Sequence, residues 1–152
     1  MDNNDIKLIG ILMKQARSTW AELGTFLSLS APAVADRVRK LEENGVIQGY
    51  SALIDPEAVG CSLAAFISVT LECPDNRNAF LELVSNQTQI QECHHIAGSA
   101  DYILKVRCQN TRSLEHLISE QIKSLPGVKT QTTVILSTVK ETPILPVKVD
   151  KG

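Results

Sequence analysis

The stretch LSAPAVADRVRKLEENGVI, residues 29–47, gives the clearest structural signal in the sequence. Apolar residues recur in it at helical spacing and form one seam, made by Val34, Val38 and Leu41. Ser30 is suited to cap the beginning of a helix, and Pro32 falls in its first turn, where a missing N–H costs nothing. Because Gly45 supplies a typical C-terminal stop, the stretch predicts an amphipathic helix over residues 31–43.

The face opposite this seam carries small side chains near its beginning and charged ones farther along. Arg37 flanks the seam, and the outward residues are Ala33, Asp36, Arg39 and Lys40. Small side chains let the first turn of a helix approach base edges, while Arg and Lys reach phosphates. An ordinary surface helix with solvated charges has the same composition, so the face alone leaves both interpretations open.

Two further helices are predicted before this stretch. Apolar residues recur at helical spacing over residues 6–13, and a shorter helix covers residues 20–27. Ser18 and Thr19 are candidate caps of the shorter helix, and Glu22 is placed to complete a capping box. A tight turn then leads into the helix of residues 31–43. Two helices joined in this way are typical of a helix-turn-helix, in which hydroxyls at helix starts also suit phosphate binding.

Length and composition indicate a globular protein without a strong overall charge. The chain has 152 residues, of which 43% are hydrophobic, and its net charge is −2. This allows one ordinary domain or two small ones and excludes a global basic field. Charges within residues 1–50 cancel, since Lys7, Lys14, Arg17, Arg37, Arg39 and Lys40 oppose Asp2, Asp5, Glu22, Asp36, Glu42 and Glu43. One copy is therefore expected to bind DNA weakly, whereas two copies on neighbouring half-sites would bind better.

The short apolar runs and the polar first residues point to a cytoplasmic protein without membrane contact. The apolar runs are too short to cross a bilayer, and the first residues, MDNNDIK, are acidic and polar. The four cysteines are widely spaced and form no Cys-x-x-Cys pair, so reduced thiols are expected.

After residue 50 the periodicity changes from helical to alternating strands and helices. Strands are predicted over residues 64–72, 90–96, 102–108 and 128–139, with helices after the first and third. The order β-α-β-β-α-β is ferredoxin-like, with both helices on one sheet face and a partner subunit on the other. The predicted fold class is therefore α+β: a winged-helix-like helix-turn-helix domain over 1–50, a hinge over 51–63 and a ferredoxin-like βαββαβ sandwich domain over 64–152.

A polar turn joins two of these strands and is the candidate small-molecule site. It consists of Gly98, Ser99, Ala100 and Asp101, and Tyr102 follows it. Backbone donors and one carboxylate could hold the charged ends of an amino acid, with Asp101 accepting from the ammonium group and Tyr102 lining the site. The alternative is an ordinary turn that Asp101 caps.

Three stretches of the sequence resemble the Lrp/AsnC, or feast/famine, family of transcriptional regulators. Residues 5–60 match its helix-turn-helix pattern and hinge, IAGSADYILKV at 96–106 matches its Gly-x-x-Asp-Tyr turn, and PGVKTQTTVILSTVKETPILPV at 126–147 resembles its closing strand. The resemblance covers essentially the whole chain. It implies that the first domain binds double-stranded DNA and that the second binds a small-molecule effector, often an amino acid. It also implies a homodimer that assembles into tetramers or octamers.

Pattern and resemblance together give the candidate site residues. The DNA-contacting set is Ser18, Thr19, Ser30, Ala31, Ala33, Asp36, Arg37, Arg39 and Lys40. The resemblance places the last strand near the effector pocket, so the effector set is Gly98, Ser99, Ala100, Asp101, Tyr102, Thr130, Gln131, Thr132 and Thr133. Two departures are Trp20 and Phe26, bulky where smaller or polar residues are expected; they either widen the core or make an exposed contact.

Two other functions compete with a DNA-binding regulator. Siroheme decarboxylases resemble the same two-domain family, and His94 or His95 could serve a tetrapyrrole; a metabolic binding module without DNA binding is the third possibility. A metal site is not expected, since in a strand Cys93 and His95 share a face that His94 does not. No catalytic motif and no cofactor are predicted, and the basic helix face favours the regulator.

Overall fold

A computed structural model describes residues 1–148 and divides the chain into two compact units. The first unit comprises residues 1–52 and 140–148, and the second comprises residues 53–139. The sequence assigned everything from residue 64 onward to one domain, whereas the segment 140–148 packs in the first unit. The last four positions of that predicted domain, 149–152, lie outside the described residues.

Three helices form the first unit: α1 (Asn3–Leu12), α2 (Trp20–Leu27) and α3 (Ala31–Glu43). Each begins at a side-chain cap, supplied by Asp2, Thr19 and Ser30, and Gly45 follows α3 with φ 69°. The predicted bounds of α2 and α3 are confirmed. One buried cluster joins the three helices, and it consists of Leu8, Leu12, Leu23, Leu27, Val34, Val38 and Leu41.

A C-terminal arm, residues 144–147, lies against α1 in the same unit. The backbone N–H of Leu145 donates to the sulfur of Met13 over 3.4 Å. A Cβ added at Gly10 would lie 3.8 Å from the side chain of Val147. The arm borders an open cleft of about 790 Å³, which Phe26 also lines.

The second unit contains a four-stranded antiparallel sheet. Its strands are β1 (Leu63–Leu71), β2 (Ile90–His95), β3 (Tyr102–Cys108) and β4 (Val128–Ile135), in the order β2-β3-β1-β4. Helix α4 (Arg77–Asn86) follows β1, and α5 (Thr111–His116) follows β3 and continues through a π-helical turn, Leu117–Gln121, into a 3-10 turn, Ile122–Ser124. This is the ferredoxin-like order, so the predicted fold class is confirmed.

The two faces of the sheet differ in what they contact. Ile67 of β1 and Leu104 of β3 are fully buried with Phe80 of α4 in the main cluster of this unit. On the opposite face Phe66 is 39% exposed, beside Lys105 of β3. The helices therefore cover one face of the sheet, as the alternation of apolar residues predicted.

One predicted strand is shorter in the structure, since β4 ends at Ile135 rather than at residue 139. The end of β4 has a simple cause, because Ile135 pairs with Ala64 near the start of β1 and no partner continues beyond it. Among the described residues, no helix is long and apolar enough to span a membrane.

Candidate DNA-binding helix and effector turn

The turn between α2 and α3 is fixed by a close backbone contact. The carbonyl of Gly24 accepts from the N–H groups of Ser28 and Leu29, and Ser28 is left-handed at φ 55°. A Cβ at position 24 would lie 2.5 Å from the carbonyl oxygen of Leu29, so only glycine fits. Sequence reasoning located the turn but missed Gly24, whose position inside a predicted helix was the available signal.

Helix α3 is held in place on two sides. Its seam, Val34, Val38 and Leu41, is at most 5% exposed, as predicted. Arg37, which flanks that seam, donates from Nη1 to Asp2 over 2.7 Å and to Asp5 over 2.6 Å. These ion pairs connect α3 to the beginning of α1. Arg37 therefore faces α1, and its guanidinium already has two carboxylate partners.

The outward face of α3 carries a chain of ion pairs. Asp36 accepts from Nη2 of Arg39 over 2.6 Å and from Nζ of Lys40 over 2.7 Å. Arg39 also donates from Nη1 to Glu43 over 2.8 Å. The side chains of Asp36, Arg39 and Lys40 are 46%, 58% and 63% exposed, so water reaches all of them. Ala33 and Asp36 also line an open cleft of about 600 Å³ beside α1.

Hydrogen bonding shifts the protonation equilibria of this surface. The ammonium of Lys40, followed by the guanidinium of Arg39, lowers the pKa of Asp36. The same pairing with Asp36, and then with Glu43, raises the pKa of Arg39. Both shifts favour the charged forms of Asp36 and Arg39 at neutral pH.

The three hydroxyl residues predicted to contact DNA lie at helix starts, but their hydroxyl groups have different partners. Thr19 and Glu22 form the capping box of α2, in which the Thr19 hydroxyl donates to the Glu22 carboxylate over 2.9 Å; Ser18 is not the cap. The Ser30 hydroxyl accepts from the Ala33 N–H over 3.4 Å. Ala31 is the first residue of α3.

The two bulky departures of the first unit lie at its surface and not in its core. Trp20, the first residue of α2, is 42% exposed, and Phe26 is 71% exposed.

In the second unit the turn of residues 97–101 is tied to the end of β1. The carboxylate of Asp101 accepts from the N–H of Leu71 over 2.7 Å, and the Asp101 N–H donates to the carbonyl of Val69 over 3.0 Å. Both bonds bring distant parts of the chain together. One oxygen of the predicted ammonium acceptor is thus already bonded to the backbone, a partnership the sequence did not reveal.

Strand pairing divides the other candidate effector residues between the two sheet faces. Tyr102, Val69 and Thr130 form one row across β3, β1 and β4, and Thr132 lies on the same face. Gln131 and Thr133 lie on the opposite face, because successive strand residues alternate. The structure therefore places Tyr102 and Thr130 on one sheet face, at the end of the sheet that the turn follows, but it does not place all four residues of β4 there.

Tyr102 is almost fully buried and has a polar partner that the sequence did not indicate. Its hydroxyl accepts from Nε of Arg77 over 2.9 Å, and its ring packs 5.0 Å from the ring of Phe80. Both partners come from α4. These contacts hold the Tyr102 ring on the helix-covered face of the sheet, at the residue that directly follows the turn.

The candidate metal or tetrapyrrole residues do not converge. His95 packs against Tyr102 with ring centroids 5.0 Å apart, while His94, on the opposite face, lies 3.1 Å from the carboxylate of Glu92. Within residues 1–148 no three His, Cys, Asp or Glu side chains are grouped to hold a metal ion. Burial raises the pKa of the Cys93 thiol, which favours its neutral form.

The geometry of the two units defines a class, a helix-turn-helix DNA-binding protein with a separate ligand-binding sheet domain. Residues 1–48 match the family model described as winged helix-turn-helix DNA-binding, and residues 64–145 match the Lrp/AsnC ligand binding domain. Similarity extends over nearly the whole length of several relatives. The chain belongs to the Lrp/AsnC family of transcriptional regulators.

Three relatives illustrate the similarity. The chain is 41% identical over 141 residues to the HTH-type transcriptional regulator LrpA of Mycobacterium tuberculosis, covering 91% of each protein. It is 36% identical to the leucine-responsive regulatory protein of Escherichia coli K12, covering 97% of this chain and 92% of that protein. The crystal structure of the regulator NMB0573 from Neisseria meningitidis, in complex with L-methionine, has a TM-score of 0.91, 30% identity and 96% coverage of both chains.

Proposed function

We propose that the outward face of α3 contacts double-stranded DNA through Arg39 and Lys40, with Ala33 allowing the close approach. The observation that carries this proposal is the exposure of both basic side chains on a helix anchored by its seam and by the Gly24 turn. Such a helix can enter the major groove without unpacking. The hydroxyls of Ser18, Thr19 and Ser30 and the first turn at Ala31 complete the proposed phosphate-contacting surface.

Arg37 takes a different role in this proposal. Its guanidinium is held by two carboxylates of α1 and its side chain is only 29% exposed. A group so placed orients α3 more readily than it reaches a phosphate. We therefore assign Arg37 to holding the helix and Asp36 to the surface that faces DNA.

The test compares two arginines in direct DNA-binding measurements. The probe is the duplex that the wild-type protein enriches from a pool of randomised sequences, hereafter the enriched duplex. Arg39→Ala is expected to weaken binding to it about tenfold and to reduce the slope of log affinity against log salt by about one. The matched control is Arg112→Ala, an exposed arginine of the second unit. Equal effects of the two substitutions, or no enriched duplex, would contradict the proposal.

We also propose that the second unit binds an amino acid at the turn of residues 98–101. The N–H groups of the turn suit a carboxylate, and the L-methionine complex of the Neisseria regulator supports this ligand class. Because Asp101 already accepts from the backbone of Leu71, its proposed role is to hold the turn, with its second oxygen available to an ammonium group. Tyr102 and Thr130 support the same end of the sheet.

Calorimetry with L-methionine and the other common amino acids tests this site. At least one amino acid is expected to bind the wild-type protein and to raise its melting temperature, since a ligand that prefers the folded state stabilises it. Gly98→Val, which places a branched side chain on the turn, is expected to abolish binding. Arg112→Ala, in the same unit but at the start of α5, which follows the opposite end of β3, serves as the control. Heat signals that survive Gly98→Val would place the ligand elsewhere.

The proposal also includes the oligomeric state of the protein and the compartment in which it acts. We infer a homodimer that assembles further into a tetramer or octamer in the cytoplasm, because the charges of residues 1–50 cancel and the DNA affinity of one copy gains from a second copy. Light scattering should give a mass of at least twice 16.6 kDa.

The protein is inferred to act by binding and not as an enzyme. A haem-like absorption spectrum of the purified protein would favour the siroheme alternative.

A further inference from the structure

Affinity for DNA does not explain why Asp36 lies on the outward face of α3. A carboxylate on a helix that faces DNA is repelled by the phosphates and lowers non-specific affinity. Asp36 nevertheless lies between Ala33 and the two exposed cations, and its side chain is 46% exposed. A residue that weakens attraction at this position must contribute something else, if the surface binds DNA as proposed.

The contacts of Asp36 show what it contributes to its neighbours. Its two oxygens bind two different cations, Arg39 over 2.6 Å and Lys40 over 2.7 Å. Arg39 is at the same time bonded to Glu43 through its other terminal nitrogen, over 2.8 Å. The guanidinium is thus held between two carboxylates that lie two helical turns apart, instead of sampling the rotamers of a free arginine.

A guanidinium held in this way can still recognise a base. Arginine has five N–H donors, and the pairs with Asp36 and Glu43 require only one donor from each terminal nitrogen. Bidentate recognition of a guanine edge requires two donors, so enough remain. Orientation by a carboxylate fixes the direction in which those donors point.

Charge balance on the same surface gives a second effect. Arg39 and Lys40 are opposed by Asp36 and Glu43, so this part of α3 carries no net charge to attract arbitrary phosphates. Non-specific binding depends almost entirely on that attraction, whereas base-edge contacts depend on direction. Pairing therefore suppresses the first kind of binding more than the second.

We propose that Asp36 is the residue that sets DNA specificity, by positioning Arg39 toward a base edge and by neutralising the cations for non-cognate DNA. This inference rests on the proposed DNA-binding function of α3. Asp36 is a positioning residue, since it acts through Arg39 and Lys40. Its removal should strengthen binding to DNA in general while weakening discrimination between sequences.

The experiment measures the dissociation constants of full-length variants for two duplexes: the enriched duplex and a shuffled duplex of the same length and base composition. Asp36→Ala is expected to bind the shuffled duplex more tightly than the wild type does, and to lose about tenfold in the ratio of the two affinities. Asp36→Glu, which keeps a carboxylate in reach of Arg39 and Lys40, should retain most of the wild-type ratio.

Glu42→Gln is the matched control, because it removes one negative charge from α3 without touching Arg39. Glu42 instead accepts from the hydroxyl of Tyr50 over 2.9 Å, a bond that a glutamine oxygen can also accept. This variant should bind both duplexes more tightly and keep their ratio. A ratio that Asp36→Ala leaves unchanged, or that Glu42→Gln lowers equally, overturns the role of Asp36 alone. A wild-type protein without preference for any duplex overturns the proposed function, and this role with it.

Discussion

Each unit contains an aspartate that bonds its neighbours, but the two aspartates have different kinds of partner. In the first unit Asp36 pairs with two cationic side chains at the surface, and in the second unit Asp101 bonds the backbone N–H of Leu71. Exposed ion pairs contribute little to folding stability, so the pairs of Asp36 can orient Arg39 and Lys40 without supporting the fold. A half-buried backbone N–H that loses its acceptor is costly, so the bond of Asp101 does support the fold. One aspartate therefore belongs to a binding surface, and the other to the frame that shapes a site.

The strongest test of this difference disturbs a backbone contact that holds the first unit together and leaves the second unit unchanged. Gly24→Ala places a Cβ 2.5 Å from the Leu29 carbonyl, and we expect the first unit to lose about 1–3 kcal/mol of stability. DNA binding should fall with it, while amino-acid binding by the second unit should persist. Chemical denaturation followed through Trp20 fluorescence reports the first unit, because it contains the single tryptophan of the chain.

Gly10→Ala is the control for that substitution. It is also a helical glycine of the first unit, but its added Cβ would make only an ordinary 3.8 Å contact with Val147. Alanine is the better helix former by roughly 1 kcal/mol, so this variant should be neutral or more stable. Equal losses in the two variants would show that the Leu29 contact is not the cause.

Asp101 provides the next largest effect and the counterpart in the second unit. Asp101→Ala leaves the Leu71 N–H without its acceptor, and we expect a loss of about 1–3 kcal/mol in the free energy of unfolding. Asp101→Asn retains an acceptor oxygen and should recover most of the stability. If Asp101→Ala unfolds at the wild-type denaturant concentration, the turn does not depend on this bond.

Arg37 and Arg39 allow a comparison within α3. Arg37→Ala should destabilise the first unit by about 1 kcal/mol, because it leaves Asp2 and Asp5 without their shared cation. Arg39→Ala breaks more exposed pairs and should cost less stability than Arg37→Ala does, while affecting DNA binding more. Urea titrations and duplex affinities of both variants check this division. The reverse ranking in either measurement would contradict it.

The smallest effect concerns the pH dependence of the α2 cap. The Thr19 N–H, followed by the Thr19 hydroxyl, lowers the pKa of Glu22 below its ordinary value of 4.5. Its charged form therefore stabilises the fold above pH 4.5, and this contribution is lost as the pH falls through the lower folded pKa. The melting-temperature difference between the wild type and Glu22→Gln should be larger near neutral pH than in acid. An unchanged difference would argue against a role for the charge.

What could be predicted from sequence depended on how local each interaction is. The caps and seam of α3 were predicted because Ser30, Val34 and Gly45 act on backbone within a few residues. The order of strands and helices along the chain, β-α-β-β-α-β, followed from the alternation and spacing of apolar residues alone. These features need no knowledge of which distant segments meet.

Apart from the local contact of Gly24 with Leu29, the main site details that escaped prediction join residues far apart in the chain. Arg37 meets Asp2 across 35 positions, and Asp101 meets the Leu71 backbone across 30. Nothing in the local pattern distinguishes these partners from other carboxylates or backbone groups. Strand alternation already indicates that Thr130 and Gln131 lie on opposite faces of the sheet. That Thr130 shares a row with Val69 and Tyr102 could be known only from the pairing register.

The Gly24 turn has a consequence for how regulators of this kind could diversify. Contacts that orient α3 come from its buried seam, from Arg37 and from the backbone at Gly24, and Ala33, Asp36, Arg39 and Lys40 form none of the buried seam. Substitutions at those four positions should therefore leave folding nearly untouched. A duplicated gene could acquire new target sequences through a few surface changes, without passing through unstable intermediates.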